Sequence, residues 1–282
     1  MSNDGMAGGD PEACPAALRP QSIMLALLGD YVYGRGVYVS SGSYIEALGR
    51  VGVSGQATRS TLTRMVNRGL LRRHRQGRHM YFGLTPRCEA ILADGRTRIW
   101  ETGAVNTDSA GTWTLVSFSL PEAWQQARHD LRSRLAWAGF GMLHGGLWIA
   151  PSRADITAVL AELGLADHVT VFAAQPVHPT DPGPLIRDAY PLADLHGQYQ
   201  TFLRRWDRPG PLPAMPDDLA RHLLLTAEWL QIIRTDPRLP LSHLPPDWPA
   251  PRAQHVFRDT HARLGRPAAD VAAGLLETIR AG

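Results

Sequence analysis

The amino-acid sequence predicts an α+β protein made of three consecutive units. A capped basic helix followed by two short strands lies in the first third of the chain. Apolar runs then follow in the order β-α-β-β-α-β, and the remainder shows helical periodicity broken by prolines. We therefore expect a tail at residues 1–18 and units at 19–103, 110–178 and 182–282.

The tail is expected to be disordered, because its Gly, Ala, Asp and Pro residues show no periodicity. The first unit then begins with a helix from Arg19 to Val32, and residues 41–50 form a second helix. The turn at 49–52 contains two glycines and precedes a third helix. Thr85 is placed to cap a fourth helix, which runs to about Glu101.

The third helix is predicted between Ser54, whose hydroxyl can cap its first turn, and Gly69, which ends it. At roughly 100° per residue, apolar residues gather on one side and polar residues on the other. The apolar side consists of Thr58, Leu62, Met65 and Val66. The polar stripe consists of Ser60, Arg64 and Asn67. Arg and Asn fit guanine and adenine edges in the major groove, so the stripe is predicted to read bases. Arg59 lies on the flank, where it would contact a phosphate or brace the preceding helix.

A cationic hairpin follows this helix. Leu70–His74 and His79–Leu84 have strand character, and Gln76-Gly77-Arg78 supplies a tight turn. The cations are Arg72, Arg73, Arg75 and Arg78, with His74 and His79. Residues 19–98 have a net charge of +9, whereas the segments before and after each have −3. A basic helix followed by a basic hairpin is typical of a winged helix-turn-helix whose wing lies along the phosphate backbone.

Any surface helix carries a polar stripe, so an ordinary surface is the alternative for the third helix taken by itself. The confinement of positive charge to this unit favours double-stranded DNA. The predicted DNA contacts are Ser54, Gln56, Arg59, Ser60, Thr63, Arg64, Asn67, Arg68, Arg73, Arg75, Gln76 and Arg78.

The central unit begins with a buried strand at Trp113, and Pro121 suits the first turn of a helix over 122–138. Two short apolar runs around 144–146 predict a hairpin, and a short helix and a strand at Val169–Ala174 complete the unit. This order is that of a ferredoxin-like βαββαβ domain. Such sheets serve as dimerisation or ligand-binding platforms, so the fold alone does not decide function.

The third unit is predicted to be mostly α-helical, with helices at 184–206, 217–235, 253–264 and 268–280. Residues 235–251 are too rich in proline for regular structure and are expected to form an extended strap.

The composition argues against membrane and enzymatic classes. No apolar run approaches the roughly 20 residues of a membrane span, and no signal pattern is present, so a cytoplasmic location is expected. Cys14 and Cys88 lack zinc or disulfide spacing. His144, beside two glycines, is interpreted as a polar turn residue, and the other histidines form no ligand motif. Without nucleotide-binding or nucleophile motifs, we expect no catalytic residues, no cofactor and no metal site.

Several long motifs resemble the PaaX family of transcriptional repressors of aromatic (phenylacetate) catabolism. They are GVSGQATRSTLTRMVNRGLL at 52–71 with Tyr81-Phe82-Gly83-Leu84, RTRIW at 96–100, LRSRLAWAGFGMLHGGLWIAPSR at 131–153, AYPLADLHGQYQTFLRRW at 189–206 and TDPRLPLSHLPPDWPAPRA at 235–253. The similarity runs from about residue 20 to about residue 275.

The resemblance implies a homodimeric repressor that binds a palindromic operator and is released by a small-molecule effector, phenylacetyl-CoA in the type case. It also implies a central domain similar to the Cas2 fold. Two residues depart from the family pattern: Leu70 stands where Trp is usual, and Gly55 stands where an acidic residue is common. Both lie in the winged-helix segment, which leaves the operator sequence open.

Two alternatives are a DNA-binding regulator without an acyl-CoA effector and a metal-dependent nuclease of Cas2 type. The nuclease requires an Asp at the end of the first central strand, and residues 117–121 contain none. An aromatic acyl-CoA could be bound by C-terminal rings and arginines, although the same residues also fit a core and a charged surface. The predicted ligand residues are Arg187, Tyr190, Tyr199, Arg204 and Trp229.

Overall fold

The computed structural model describes residues 18–107, 111–207 and 212–280. The predicted disordered tail therefore lies outside the described residues, except for Leu18. The fold is mixed α+β, with two small antiparallel sheets among the helices.

The first part of the chain contains four α-helices and three strands. They are α1 (Pro20–Tyr31), β1 (Val37–Ser40), α2 (Ser41–Gly49), α3 (Gly55–Asn67), β2 (Leu71–Gln76), β3 (His79–Leu84) and α4 (Pro86–Thr97). A π-helical turn, Arg98–Thr102, continues α4. Local chemistry explains where α3 and α4 begin: Ser54 accepts a hydrogen bond from the Ala57 amide, and Thr85 accepts one from the Cys88 amide.

The last strand, β8 (Thr278–Arg280), joins the first sheet beside β1, giving the strand order β2-β3-β1-β8. The prediction of a helix over 268–280 is therefore wrong at its end. The strand forms because β1 offers an open edge, and Glu277 is already held there by a hydrogen bond from Tyr81 (2.7 Å).

The central elements are β4 (Trp113–Phe118), α5 (Gln125–Trp137), β5 (Gly141–Met142), β6 (Trp148–Ala150), α6 (Thr157–Leu163) and β7 (Val169–Ala174). The predicted β-α-β-β-α-β order is confirmed, and the strands pair antiparallel in the order β5-β6-β4-β7. The helix begins at Gln125 rather than 122, because Pro121 first forms a turn closed by the Trp124 amide.

The C-terminal helices are α7 (Pro182–Ala189), α8 (Leu192–Trp206), α9 (Asp218–Thr235) and α10 (Ala250–Leu275). The single helix predicted at 184–206 is broken at Tyr190-Pro191, because proline has no amide proton for a helical hydrogen bond. The two helices predicted at 253–264 and 268–280 are one helix through Pro267, apart from the strand at its end.

The N-terminal helices and the C-terminal helices share one hydrophobic core. Leu27 and Leu28 of α1 pack in the same cluster as Leu223 of α9 and Ala268 and Ala272 of α10. The proline-rich segment between α9 and α10 is irregular, as predicted. It contains a 3-10 turn at Leu241–His243 and a turn in which the Trp248 amide donates to the Pro245 carbonyl oxygen. The N-terminal unit, which carries the predicted DNA contacts, thus packs directly on the C-terminal helices.

Candidate nucleic-acid interface

The two predicted faces of α3 are present. Thr58, Leu62 and Met65 are buried, and Val66 is half-buried. The predicted stripe of Ser60, Arg64 and Asn67 is exposed. The other predicted α3 contacts, together with the capping residue and the residue after the helix, are also exposed: Ser54, Gln56, Arg59, Thr63 and Arg68. The helix therefore presents a continuous polar and cationic face to solvent.

The two arginines of α3 are held differently. Arg64 donates from Nη2 to the Thr61 hydroxyl (3.1 Å), which leaves its remaining N–H groups available to a base edge. Arg59 folds toward the helix start, where a Cβ at Gly55 would lie 3.4 Å from Arg59 Nη1 and 3.3 Å from Ile45 Cγ2. The Arg59 side chain thus lies on the flank of α3 that faces α2.

The basic hairpin is formed as predicted, with β2 and β3 in register from Leu71↔Leu84 to Gln76↔His79. Gly77 has φ of 60° at the first position of the two-residue turn, a conformation that favours glycine. The predicted hairpin contacts Arg73, Arg75, Gln76 and Arg78 are all exposed.

Tyr38 of β1 supports the hairpin, and no sequence pattern indicates this contact. The Arg72 guanidinium carbon lies 5.1 Å from the Tyr38 ring centroid, and the His74 ring centroid lies 5.3 Å away. A Cβ at Gly83 would lie 2.7 Å from Tyr38 Cδ1, so glycine is required for the ring to pack there. The close packing fixes the base of the hairpin against β1.

The arginines of this surface have no acidic partner among the described residues. In the described part of the chain, no carboxylate lies within the 4.0 Å ion-pair distance of Arg59, Arg64, Arg73, Arg75 or Arg78. Other arginines of the same unit are neutralised: Arg50 pairs with Glu46 and Asp217, and Arg98 pairs with Asp94. The positive charge of α3 and the hairpin is therefore available to an anionic partner such as DNA.

Comparison with known proteins covers most of this chain. A family model described as PaaX-like protein matches residues 19–88. The model for the PaaX protein central Cas2-like domain matches 106–186, and the PaaX-like protein C-terminal domain matches 190–274. The chain belongs to the PaaX family.

Among curated proteins, the transcriptional repressor PaaX of Escherichia coli (strain K12) is 27% identical over 261 residues, spanning 88% of this chain and 81% of that protein. Among solved structures, the uncharacterized protein Rv0674 from Mycobacterium tuberculosis has a TM-score of 0.60 at 20% identity. That match spans 91% of this chain and 100% of the other, and it shows the fold alone. The central domain of this PaaX-family chain is Cas2-like.

The five predicted ligand residues of this PaaX-family protein are not brought together. Arg187 and Arg204 are exposed, whereas Tyr190, Tyr199 and Trp229 are buried. Tyr199 and Trp229 belong to the core of the C-terminal helices, and Tyr190 belongs to a separate cluster against the central sheet.

Hydrogen bonds show what two of these rings do. The Tyr190 hydroxyl donates to the carbonyl oxygens of Ile149 (2.7 Å) and Gly139 (3.1 Å), which joins α7 to the central unit. The Tyr199 hydroxyl donates to the Asp236 carboxylate at the start of the strap. Burial raises the pKa of Asp236 and, together with the nearby Asp236 charge, also raises the pKa of Tyr199. Tyr190 thus connects α7 to the central unit, and Tyr199 connects α8 to the proline-rich strap.

An apolar cavity of about 290 Å³ lies elsewhere, between α1, α4 with its π-helical turn, and α9. Leu25, Leu230 and Ile233 contribute aliphatic wall, and two partly exposed tryptophans, Trp100 and Trp137, contribute ring surface. The Arg98 guanidinium lies 4.5 Å from the Trp137 ring centroid, and that of Arg234 lies 5.9 Å away. The cavity therefore combines aromatic walls with cations.

One group of residues in the described part of the chain could hold a metal ion: Asp30, His222 and His261. They come from three helices far apart in sequence, so no spacing motif indicates the group. Burial lowers the pKa of His222 to about 4, against the opposing effect of the Asp30 charge. The imidazole is therefore neutral at physiological pH.

Two places in the central unit bear on the alternatives considered from sequence. His144 lies in a 3-10 turn, His144–Gly146, and Gly145 has φ of 77° within it. Strand β4 ends at Phe118, and no Asp follows before the next helix. In the described ranges, no helix is long and apolar enough to cross a membrane.

Proposed function

We propose that this protein is a DNA-binding transcriptional repressor whose N-terminal unit is a winged helix-turn-helix. The observation that carries this proposal is the exposed face of α3 next to the hairpin, with arginines that have no acidic partner in the described structure. Membership of the PaaX family and the similarity to a transcriptional repressor from Escherichia coli support the same function.

The two parts of this surface have different roles in the proposal. Ser60, Arg64 and Asn67 on α3 read base edges, because their donors and acceptors face solvent along one stripe. The hairpin arginines bind phosphates, because they are exposed and extend beyond the sheet on a two-residue turn. Sequence preference therefore comes from α3, and most of the salt dependence comes from the hairpin.

We propose that the repressor is a homodimer on a palindromic operator. Strand β7 is at the edge of the central sheet, and Val171 and Phe172 on it are 43% and 53% exposed. A second copy at this edge would cover the apolar side chains. The two α3 helices must then match half-sites about 34 to 36 Å apart or a multiple of that distance.

Light scattering of the purified protein tests the dimer. Phe172→Glu is expected to give a monomer with an intact fold, because it places a charge in the proposed contact. Val177→Glu is the matched control, since Val177 is 71% exposed and lies after the strand. A Phe172→Glu variant that stays dimeric contradicts this interface.

We propose further that an aromatic acyl-CoA or a related aromatic anion releases the repressor, as expected for control of a phenylacetate-type catabolic operon. The cavity beside α1 supports this proposal better than the five residues predicted from sequence. Its volume of about 290 Å³ suits an aromatic ring with a short chain, near the lower end of ligand pockets of roughly 300–1,000 Å³. Trp100 and Trp137 can stack on the ring, and Arg234 can bind the negative charge.

The position of the cavity explains how ligand binding can change operator affinity. Helices α1 and α4 belong to the N-terminal unit, Trp137 belongs to the central helix α5, and α9 belongs to the C-terminal helices. A ligand bound between them changes how these elements pack. Operator affinity falls if the distance between the two α3 helices changes in the dimer.

A gel-shift titration with the promoter DNA next to the protein's own gene tests both parts. The repressor is expected to shift this DNA at low salt, and an aromatic acyl-CoA thioester is expected to reverse the shift. Absence of any shift with upstream DNA contradicts the repressor function. A shift that no aromatic acyl-CoA affects contradicts only the effector and leaves a regulator with a different signal.

A further inference from the structure

Asp30 of α1, His222 of α9 and His261 of α10 meet where the N-terminal unit packs on the C-terminal helices. One donor atom of each side chain lies within 4.8 Å of the other two. His222 is almost fully buried, and the side chains of Asp30 and His261 are 22% and 17% exposed. Two imidazoles and a carboxylate are thus concentrated at the junction of three helices.

The spacing of these donors fits a shared ion better than direct hydrogen bonds. Asp30 Oδ2 lies 3.5 Å from His222 Nδ1 and 3.9 Å from His261 Nε2, and neither histidine is hydrogen-bonded to the carboxylate in the described structure. Around a tetrahedral ion with bonds of about 2.0–2.2 Å, neighbouring donor atoms are roughly 3.3–3.6 Å apart. Small side-chain rotations would bring all three donors onto one ion.

One of the proposed donor atoms also lacks a partner. His261 Nε2, which faces Asp30, is buried and has no hydrogen-bond partner among the described residues. The ring centroids of the two histidines are only 4.1 Å apart. A buried polar atom without a partner destabilises a fold, and an ion bound to His261 Nε2 would remove that cost.

Neighbouring hydroxyl groups contact two of the proposed ligands. Thr226 Oγ1 donates to Asp30 Oδ2 (3.2 Å), a contact that helps to fix the orientation of the carboxylate. The Tyr31 hydroxyl is hydrogen-bonded to His222 Nδ1 (2.8 Å), the nitrogen that faces Asp30. Binding of the ion through this nitrogen therefore requires the Tyr31 hydroxyl to turn away.

The apolar cavity provides a path to the site. Asp30 and Thr226 line the cavity between α1, α4 and α9. Trp100, which also lines it, packs edge-on against His261 with ring centroids 4.8 Å apart. An ion can therefore reach the carboxylate from the cavity without unfolding the helices.

We propose that Asp30, His222 and His261 bind one divalent transition-metal ion of the Zn²⁺ class and that the ion fastens α1 to α9 and α10. Two imidazoles with one carboxylate suit Zn²⁺, Co²⁺ or Ni²⁺, whereas Ca²⁺ and Mg²⁺ prefer oxygen ligands. A water molecule or another small ligand completes the coordination. The site concerns the junction of the units, and it does not require the proposed DNA-binding function.

Titration of the full-length, chelator-treated protein with Co²⁺, followed by visible absorption and then by Zn²⁺ competition, tests this site. The wild-type protein is expected to bind one Co²⁺ per chain with the spectrum of nitrogen ligation, to lose it to Zn²⁺ and to melt at a higher temperature with Zn²⁺. Asp30→Asn and His261→Gln are each expected to weaken binding by more than about tenfold.

His255→Gln is the matched control, because His255 is exposed on the same helix, α10, and is not part of the group. It is expected to bind Co²⁺ like the wild type. His222→Gln changes a buried residue, so circular dichroism must first show that it folds; the partly exposed His261 position carries the test otherwise. Absence of a saturable site in the wild type, or unchanged affinity in His261→Gln, overturns the proposal.

Discussion

Replacing the three hairpin arginines, Arg73, Arg75 and Arg78, with alanine tests how the wing contributes to DNA binding. All three side chains are exposed and have no carboxylate partner in the described structure, so their removal leaves the fold intact. Each phosphate contact contributes about 0.9 to the slope of log affinity against log salt concentration. Loss of three contacts is expected to lower the slope by about 2.7 per chain. Over a fourfold rise in salt, the variant therefore loses roughly 40-fold less affinity per bound chain than the wild type.

Fluorescence anisotropy with the operator duplex and with a scrambled duplex, at several salt concentrations, measures this slope. Affinity is expected to fall by a similar factor on both duplexes, because phosphates carry no sequence information. A double variant of two exposed central-unit arginines, Arg132→Ala with Arg153→Ala, is the control and is expected to keep the wild-type slope. A wild-type slope in the triple variant, or a loss of affinity for the operator duplex alone, refutes the proposal that these arginines bind phosphates.

Three further predictions concern packing, pH dependence and the cavity. Gly83→Ala is expected to lower the free energy of unfolding by about 1–3 kcal/mol in a denaturant titration, because the added Cβ would overlap the ring of Tyr38. Gly265→Ala is the control and is expected to be neutral or stabilising, because Gly265 lies in a helix with open space around it. Tyr81→Phe removes the hydrogen bond that lowers the pKa of Glu277. The variant is therefore expected to be less stable than the wild type above the usual glutamate pKa of about 4.3, and the difference in stability is expected to disappear as the pH falls through the lowered pKa of Glu277. Thermal melts across this pH range measure the difference. Trp137→Ala is expected to raise the aromatic acyl-CoA concentration needed to release DNA by at least about fivefold without changing operator affinity in its absence, and an unchanged dose response in the gel shift counts against the cavity.

The sequence predicts the parts of this fold that depend on local chemistry. Ser54 caps α3, Gly69 and Gly77 take the positive φ angles that end the helix and turn the hairpin, and the two faces of α3 follow from periodicity. Each of these features depends on neighbouring residues in the chain. For the same reason the β-α-β-β-α-β order of the central unit is predictable from its alternating apolar runs.

Two of the errors occur where distant parts of the chain meet. Strand β8 forms because β1 has an open edge, and helix α10 continues past Pro267 because Ala268 and Ala272 are buried against the N-terminal helices. The residues around β8 and Pro267 do not indicate that these segments pack against β1 and the N-terminal helices. Tertiary packing therefore overrides the local preference for a helix end at proline.

The candidate sites show the same limit. The outer face of α3 is predictable because it lies within one helix, whereas the ring of Tyr38 under the hairpin depends on strand pairing. Cores and ligand pockets are lined by the same aromatic residue types, so the sequence alone does not assign Tyr199 and Trp229 to one or the other. The structure places them in a core.

The ratio of operator affinity to unrelated-DNA affinity, compared between the wild type and Arg64→Ala, tests most directly whether α3 reads the operator. One bidentate contact to a base is worth about 1–3 kcal/mol, so this ratio is expected to fall roughly 5- to 150-fold while the salt slope changes little. Arg132→Ala, at an exposed position of the central unit, is the control and is expected to keep the wild-type ratio. An unchanged ratio in Arg64→Ala, or a wild-type protein that does not distinguish its own upstream DNA from unrelated DNA, contradicts the account.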